Sequence, residues 1–131
     1  MAVSGSAGQG RAEWGGPPSP EAVADVHRQA CRVMHDWDLG ADVTEDAALV
    51  IAELLANVVQ HARTAFRLVI RMRGNLLHVA VEDGSTTPPP LGTDHPTTGQ
   101  LTGLRLVNAV ALRWGWQDRP TGKTVWAEFT T

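Results

Sequence analysis

The chain of 131 residues has a single cysteine, Cys31. One thiol excludes an internal disulfide framework and a cysteine-rich zinc site. Its neighbours are core-like, so a buried, inert thiol is expected. Charge of one sign is also scarce. The net charge of −3 leaves no electrostatic case for direct nucleic acid binding. No apolar run is long and uninterrupted enough to span a bilayer. The first residues carry neither a basic start nor an apolar segment, which argues against a secretory signal. A cytoplasmic location without a membrane partner is the default expectation.

What the sequence does have is apolar content. At 43% hydrophobic residues it can form a packed core, and its length fits one domain. Residues 1–19 are rich in Gly, Ser, Ala and Pro and read as a flexible tail, with a short edge strand near Arg11 to Trp14. The folded domain is expected over residues 20–131. Ser19-Pro20-Glu21 is a helix start, with a capping serine, proline at the first helical position and an acid in the first turn. Val23, Val26, Ala30, Val33, Met34 and Trp37 follow at helical spacing, and Gly40 is expected as the C-terminal cap. His27 and His35 read as polar-face residues.

Thr44-Glu45-Asp46 is expected to open a second helix that runs to about Ala62. In it, every residue from Ala47 to Val59 except Glu53 and Asn57 is apolar. A carboxylate and a carboxamide in such a run are costly unless something binds them. Helical periodicity stacks Glu53, Asn57 and His61 on one side. The stripe is either solvent-exposed or a ligand or metal site reached from one side. For His61 a structural role at the helix end is expected.

Two strands follow. Phe66 to Arg73 alternates, with Leu68, Ile70 and Met72 on one face. Gly74-Asn75 is a turn, and Leu76 to Asp83 completes a hairpin. Leu77, Val79 and Val81 share a face, so Asp83 is in phase with the core. It is either a turn-capping aspartate before Gly84 or a carboxylate pointing into a pocket between sheet and helix. Gly84 to Gln100, with Pro88-Pro89-Pro90 inside it, is a long irregular segment of the kind that forms lids or binding loops. Thr102-Gly103 opens a third helix whose N-terminus suits an anion. Strands over Arg113 to Gln117 and Lys123 to Phe129 close the chain around a turn at Pro120-Thr121-Gly122. Trp114, Trp116 and Trp126 are expected to pack in the core or on the sheet. The order of elements indicates an α+β two-layer sandwich, with a mixed, mostly antiparallel sheet and helices on one face.

Four segments in this order resemble the anti-sigma-factor serine/threonine kinase family, in its compact actinobacterial form. It shares the nucleotide-binding (Bergerat-type) fold of gyrase, the heat-shock chaperones and histidine kinases. The segments are Glu53-Leu54-Leu55-Ala56-Asn57 with His61-Ala62, Val81-Glu82-Asp83-Gly84 with Pro88, Gly103-Leu104-Arg105-Leu106-Val107, and Gly122-Lys123-Thr124-Val125-Trp126. The resemblance covers roughly Pro20 to Phe129.

It implies ATP and Mg²⁺ as cofactors. Asn57 would hold the metal, Glu53 would be the general base, and Asp83 would accept from the adenine amino group. Gly84, Gly99, Thr102, Gly103 and Leu104 would line the nucleotide, largely through backbone. Ser85 stands where the wider superfamily carries a second glycine, and Leu101 precedes Thr102-Gly103 where Gly-x-Gly is common. As partners the resemblance implies a small antagonist protein that is phosphorylated, a sigma factor and a second copy of the chain. Two other classes fit the same residues: a nucleotide-dependent, partner-switching binding module without phosphoryl transfer, and the catalytic half of a histidine kinase working with a separate phosphoacceptor chain.

Overall fold

The computed structural model describes residues 2–6, 9–90 and 103–131. Two strands, β1 (Ala2–Ser6) and β2 (Gln9–Gly16), precede the helices α1 (Pro20–Asp36) and α2 (Ala41–Asn57). A π-helical turn over Val58–Ala62 extends α2. The hairpin β3 (Phe66–Arg73) and β4 (Leu76–Asp83) comes next, then α3 (Leu104–Val110), β5 (Arg113–Arg119) and β6 (Gly122–Thr130). The sheet has six strands in the order β1-β2-β3-β4-β6-β5, and every pairing is antiparallel. The helices pack on one face of it, as expected.

The N-terminal segment differs from the expected tail. Gln9–Gly16 pairs with β3 along its whole length, and β1 pairs outside it, so the strand around Arg11 to Trp14 is not at an edge. The reason is packing. Ala12 and Trp14 alternate inward and are buried, and the Trp14 indole donates to Gln29 on α1 at 3.1 Å. Gly10 lies under the Trp37 ring, where a Cβ would approach to 2.7 Å. Gly10, one of the residues that suggested a tail, makes room for an aromatic side chain.

Helix α1 starts as predicted, with the Ser19 hydroxyl accepting from the Ala22 N–H at 3.2 Å. Its end differs. The helix stops at Asp36, and Asp38 takes the left-handed conformation. Gly40, at φ 98°, is the residue before α2 rather than the cap of α1. Thr44 is therefore inside the first turn of α2, its N–H bonded to the Gly40 carbonyl at 3.1 Å. The short connection forces the reversal onto the glycine, and the local capping signal of Thr44 is overridden.

The core lies between the helices and the inward residues of the central strands. Ala47, Val50, Ile51, Leu54, Leu55 and Val58 form the buried stripe of α2 and its extension. They face Leu68 and Ile70 of β3, Leu77, Val79 and Val81 of β4, and Val125, Ala127 and Phe129 of β6. Burying a Leu or Val side chain contributes roughly 1.5–3 kcal/mol. This layer fixes how α2 lies over the ends of β4 and β6. Cys31 is half-buried rather than fully buried, with its Sγ 3.8 Å from the His27 Nε2. Burial pushes its thiol pKa up, which keeps it protonated and inert. His27 is more than a polar-face residue: its Nε2 lies 2.8 Å from the Ala48 carbonyl and ties α1 to α2. Of the tryptophans, Trp126 stacks on His78 on the outer face of the sheet, while Trp116 is exposed.

Candidate nucleotide site

Asn57 is the last α-helical residue before the π-helical turn. The turn closes with the Arg63 N–H bonded to the Val58 carbonyl at 2.7 Å, with Arg63 left-handed. Such turns are rare and recur at functional sites. Here the turn brings His61 and Ala62 to the same small cleft as Asn57. The floor comes from Val81 and Asp83 on β4 and from Lys123 and Val125 on β6. Ser85, Thr87 and Pro88 to Pro90 cover it, with Pro89 buried. The cleft measures ≈ 30 Å³, room for about one water molecule.

Asp83 points inward, as the strand alternation predicts, and it also caps its turn. Its Oδ1 accepts from the Ser85 N–H at 2.9 Å and from the Lys123 ammonium at 3.0 Å. Both ends of the ion pair are buried, Asp83 at 8% and Lys123 at 5% exposure. The two residues face each other in the β4–β6 register. Gly122 makes that approach feasible: its φ is 153°, and a Cβ there would fall 1.9 Å from the Asp83 carbonyl oxygen. The following Gly84 N–H donates to the Thr64 hydroxyl at 2.8 Å, which pins the turn to the end of the α2 segment.

Asn57 carries the one buried side-chain polar atom without a partner among the described residues, its Nδ2. Leaving such a group unpaired costs about 1–3 kcal/mol. A half-turn of the amide exchanges oxygen and nitrogen, so the group can present either an acceptor or a donor.

Glu53 does not line this cleft. Its Oε1 accepts from the Gly103 N–H at 2.8 Å. Gly103 has φ 63° and immediately precedes α3, so the carboxylate holds the residue from which that short helix starts. The Glu53 Oε2 takes no hydrogen bond among the described residues. Leu104 is buried in the core, which leaves only its backbone for a ligand. Gly84 is at the cleft mouth and exposed. Gly99, Thr102 and most of the irregular segment lie outside the described residues.

The structure thus brings Asn57, His61 and Asp83 together, with Glu53 and Gly103 joined beside them. Sequence reasoning missed Lys123 and Thr64 as parts of the site. Lys123 had a signal, being the only lysine in the sequence and two positions before Val125 in an inward-facing phase. Thr64 had none, because its partner is 20 residues away. Among the described residues no group of three or more His, Cys, Asp or Glu side chains could hold a metal ion.

A comparison with curated proteins finds no significant match. Among solved structures, the crystal structure of the RsbU and RsbW domains of Rv1364c from Mycobacterium tuberculosis superposes with a TM-score of 0.71 at 14% identity. The match covers 92% of this chain and 31% of that one, so the chain spans under a third of that protein's length. At this identity the likeness concerns the fold. The profile of the histidine kinase-like ATPase domain matches residues 16–129, from the last residue of β2 to the next-to-last residue of β6. This chain belongs to the histidine kinase-like ATPase domain family.

Proposed function

We propose that the protein binds ATP with Mg²⁺ between α2 and the ends of β4 and β6 and phosphorylates a serine or threonine on a small antagonist protein, with a sigma factor as its second partner. The observation that carries the reading is the Asn57 carboxamide, left with an unpartnered buried atom at the cleft that also holds the buried Asp83. A bound phosphate oxygen that accepts from Nδ2 fits the site, and a half-turn of the amide would present its oxygen to a metal. Magnesium prefers few protein ligands and several water and phosphate oxygens, which suits a single carboxamide. When bound, Mg²⁺–ATP supplies the phosphoryl group and neutralises its developing charge. Asp83 holds the base through Oδ2, which takes no hydrogen bond among the described residues. Glu53 takes the proton of the attacking hydroxyl on Oε2, while Oε1 stays fixed by Gly103. Entry of a base displaces the Pro88 to Pro90 cover, since the cleft as it stands holds ≈ 30 Å³.

The family membership and the fold likeness to a structure containing an RsbW domain support the partner assignment. A homodimer and a cytoplasmic location belong to the same proposal. No described helix is long and apolar enough to cross a membrane.

Calorimetry with ATP and ADP, with and without Mg²⁺, tests the site on the wild type, Asn57→Ala and Asp83→Asn. Micromolar binding that needs Mg²⁺ and is lost in both variants is the expected result. No binding at millimolar nucleotide would remove the kinase reading. A second reading has a specific observation behind it: Glu53 is engaged by the Gly103 N–H, as suits a partner-switching module that holds nucleotide without transferring phosphate. Partner exchange that survives Glu53→Ala would favour that module.

A further inference from the structure

We propose that Lys123 widens the base choice of this cleft, so that the protein binds 6-oxopurine nucleotides such as GTP as well as ATP. The proposal rests on the nucleotide reading above. An ionised carboxylate only accepts hydrogen bonds. Alone, Asp83 suits the amino group at position 6 of adenine and opposes the carbonyl that guanine and hypoxanthine carry there. Two facing acceptors in a buried site leave both unpaired, and this is how a polar site rejects the wrong substrate.

Asp83 is not alone. The Lys123 ammonium lies 3.0 Å from its Oδ1, and both side chains line the same cleft. An ammonium has three donors. Asp83 takes one, and no second hydrogen-bond partner for Lys123 occurs among the described residues. The Asp83 Oδ1 is occupied by Lys123 and the Ser85 N–H, which leaves Oδ2. The cleft therefore offers an acceptor and a donor side by side. Adenine needs only the acceptor, for its amino group. A 6-oxopurine needs both, with N1–H giving to Asp83 and O6 accepting from Lys123.

The choice of cation agrees. Of the eleven lysine and arginine residues ten are arginines, and the one lysine is the one buried here. A guanidinium fork would lock onto the carboxylate in two bonds. An ammonium is a rotatable point donor that can keep one bond to Asp83 and give another to a ligand.

Calorimetry in Mg²⁺ with ATP, GTP and ITP tests this on the wild type and on Lys123→Met. The wild type is expected to bind GTP and ITP within about tenfold of ATP. Loss of one charged hydrogen bond in Lys123→Met should widen the GTP-to-ATP ratio of Kd by about tenfold or more. Taking the ratio within one protein cancels any loss of folded material. Should the variant not fold, the wild type decides through purine riboside triphosphate, which lacks a group at position 6. It should bind more weakly than both ITP and ATP. Wild-type ATP binding with GTP and ITP over a hundredfold weaker would overturn the proposal and leave the nucleotide site standing. No binding of any of these nucleotides would overturn both.

Discussion

The Glu53 carboxylate and the Gly103 amide meet at 2.8 Å, joining the last turns of α2 to the residue just before α3. The side chain proposed as the base thus also positions the backbone proposed to meet phosphate. The two roles separate by substitution. Glu53→Gln keeps an oxygen for the Gly103 N–H but cannot take a proton. It should leave thermal stability nearly unchanged while lowering phosphoryl transfer by about 10²–10⁴-fold. Glu53→Ala should also lose about 1 kcal/mol of stability with this hydrogen bond. Radiolabel transfer and thermal unfolding on both variants provide the check. Equal transfer by Glu53→Gln and wild type would count against the base.

Asn57→Ala should destabilise the free protein little or even stabilise it, because an unpartnered buried atom goes with the side chain. It should remove the Mg²⁺-dependent part of nucleotide binding. Urea unfolding and calorimetry together test this pair of effects. A large loss of stability would make Asn57 a structural residue.

Breaking the buried Asp83–Lys123 pair from one side should cost about 3–5 kcal/mol, since the remaining charge stays buried without its partner. Lys123→Met combined with Asp83→Leu should recover much of that loss. The difference between the single and double variants in urea midpoints measures the coupling.

Gly122→Ala should destabilise by more than the roughly 1–3 kcal/mol of its backbone strain alone, because the added Cβ would fall 1.9 Å from the Asp83 carbonyl oxygen. The same change should weaken nucleotide binding by moving Asp83. A variant as stable as wild type would mean that β4 and β6 are not held in this register.

On the outer face of the sheet, Glu128 is bonded to His78 at 2.9 Å and paired with Arg113. Partial burial raises its pKa, but these hydrogen bonds and charges outweigh it and hold the carboxyl below the usual glutamate value. A depressed carboxylate stabilises the fold above its unfolded pKa of about 4.3 and loses that contribution as pH falls through its folded pKa. Glu128→Gln should therefore flatten the acid limb of stability against pH. The effect should be small, because the pair lies at the surface and is screened by solvent. Urea midpoints from neutral pH downward provide the measurement.

Much of the site was legible because its signals are local. Leu77, Val79 and Val81 set a phase that carries Asp83 inward, and pleat geometry admits no other outcome once that face is buried. The competing turn-capping reading of Asp83 was also correct, since one oxygen serves the Ser85 N–H. The end of α1 was misread because Gly40 suits a helix cap and a helix start equally, and only the two-helix connection distinguishes them.

By itself, the sequence determined the body of α2, the β3–β4 hairpin and β6, and which sides of them are apolar. These follow from periods of 3.6 and 2, which neighbouring residues impose on one another. Only the tertiary structure decided what the polar groups on those elements meet. Lys123 finds Asp83 across 40 residues, and Gly103 finds Glu53 across 50. The N-terminal segment joins the sheet because β3 offers it an open edge and α1 offers Trp14 a partner. Such contacts carry no period, since they depend on how whole elements pack and not on the spacing within any one of them.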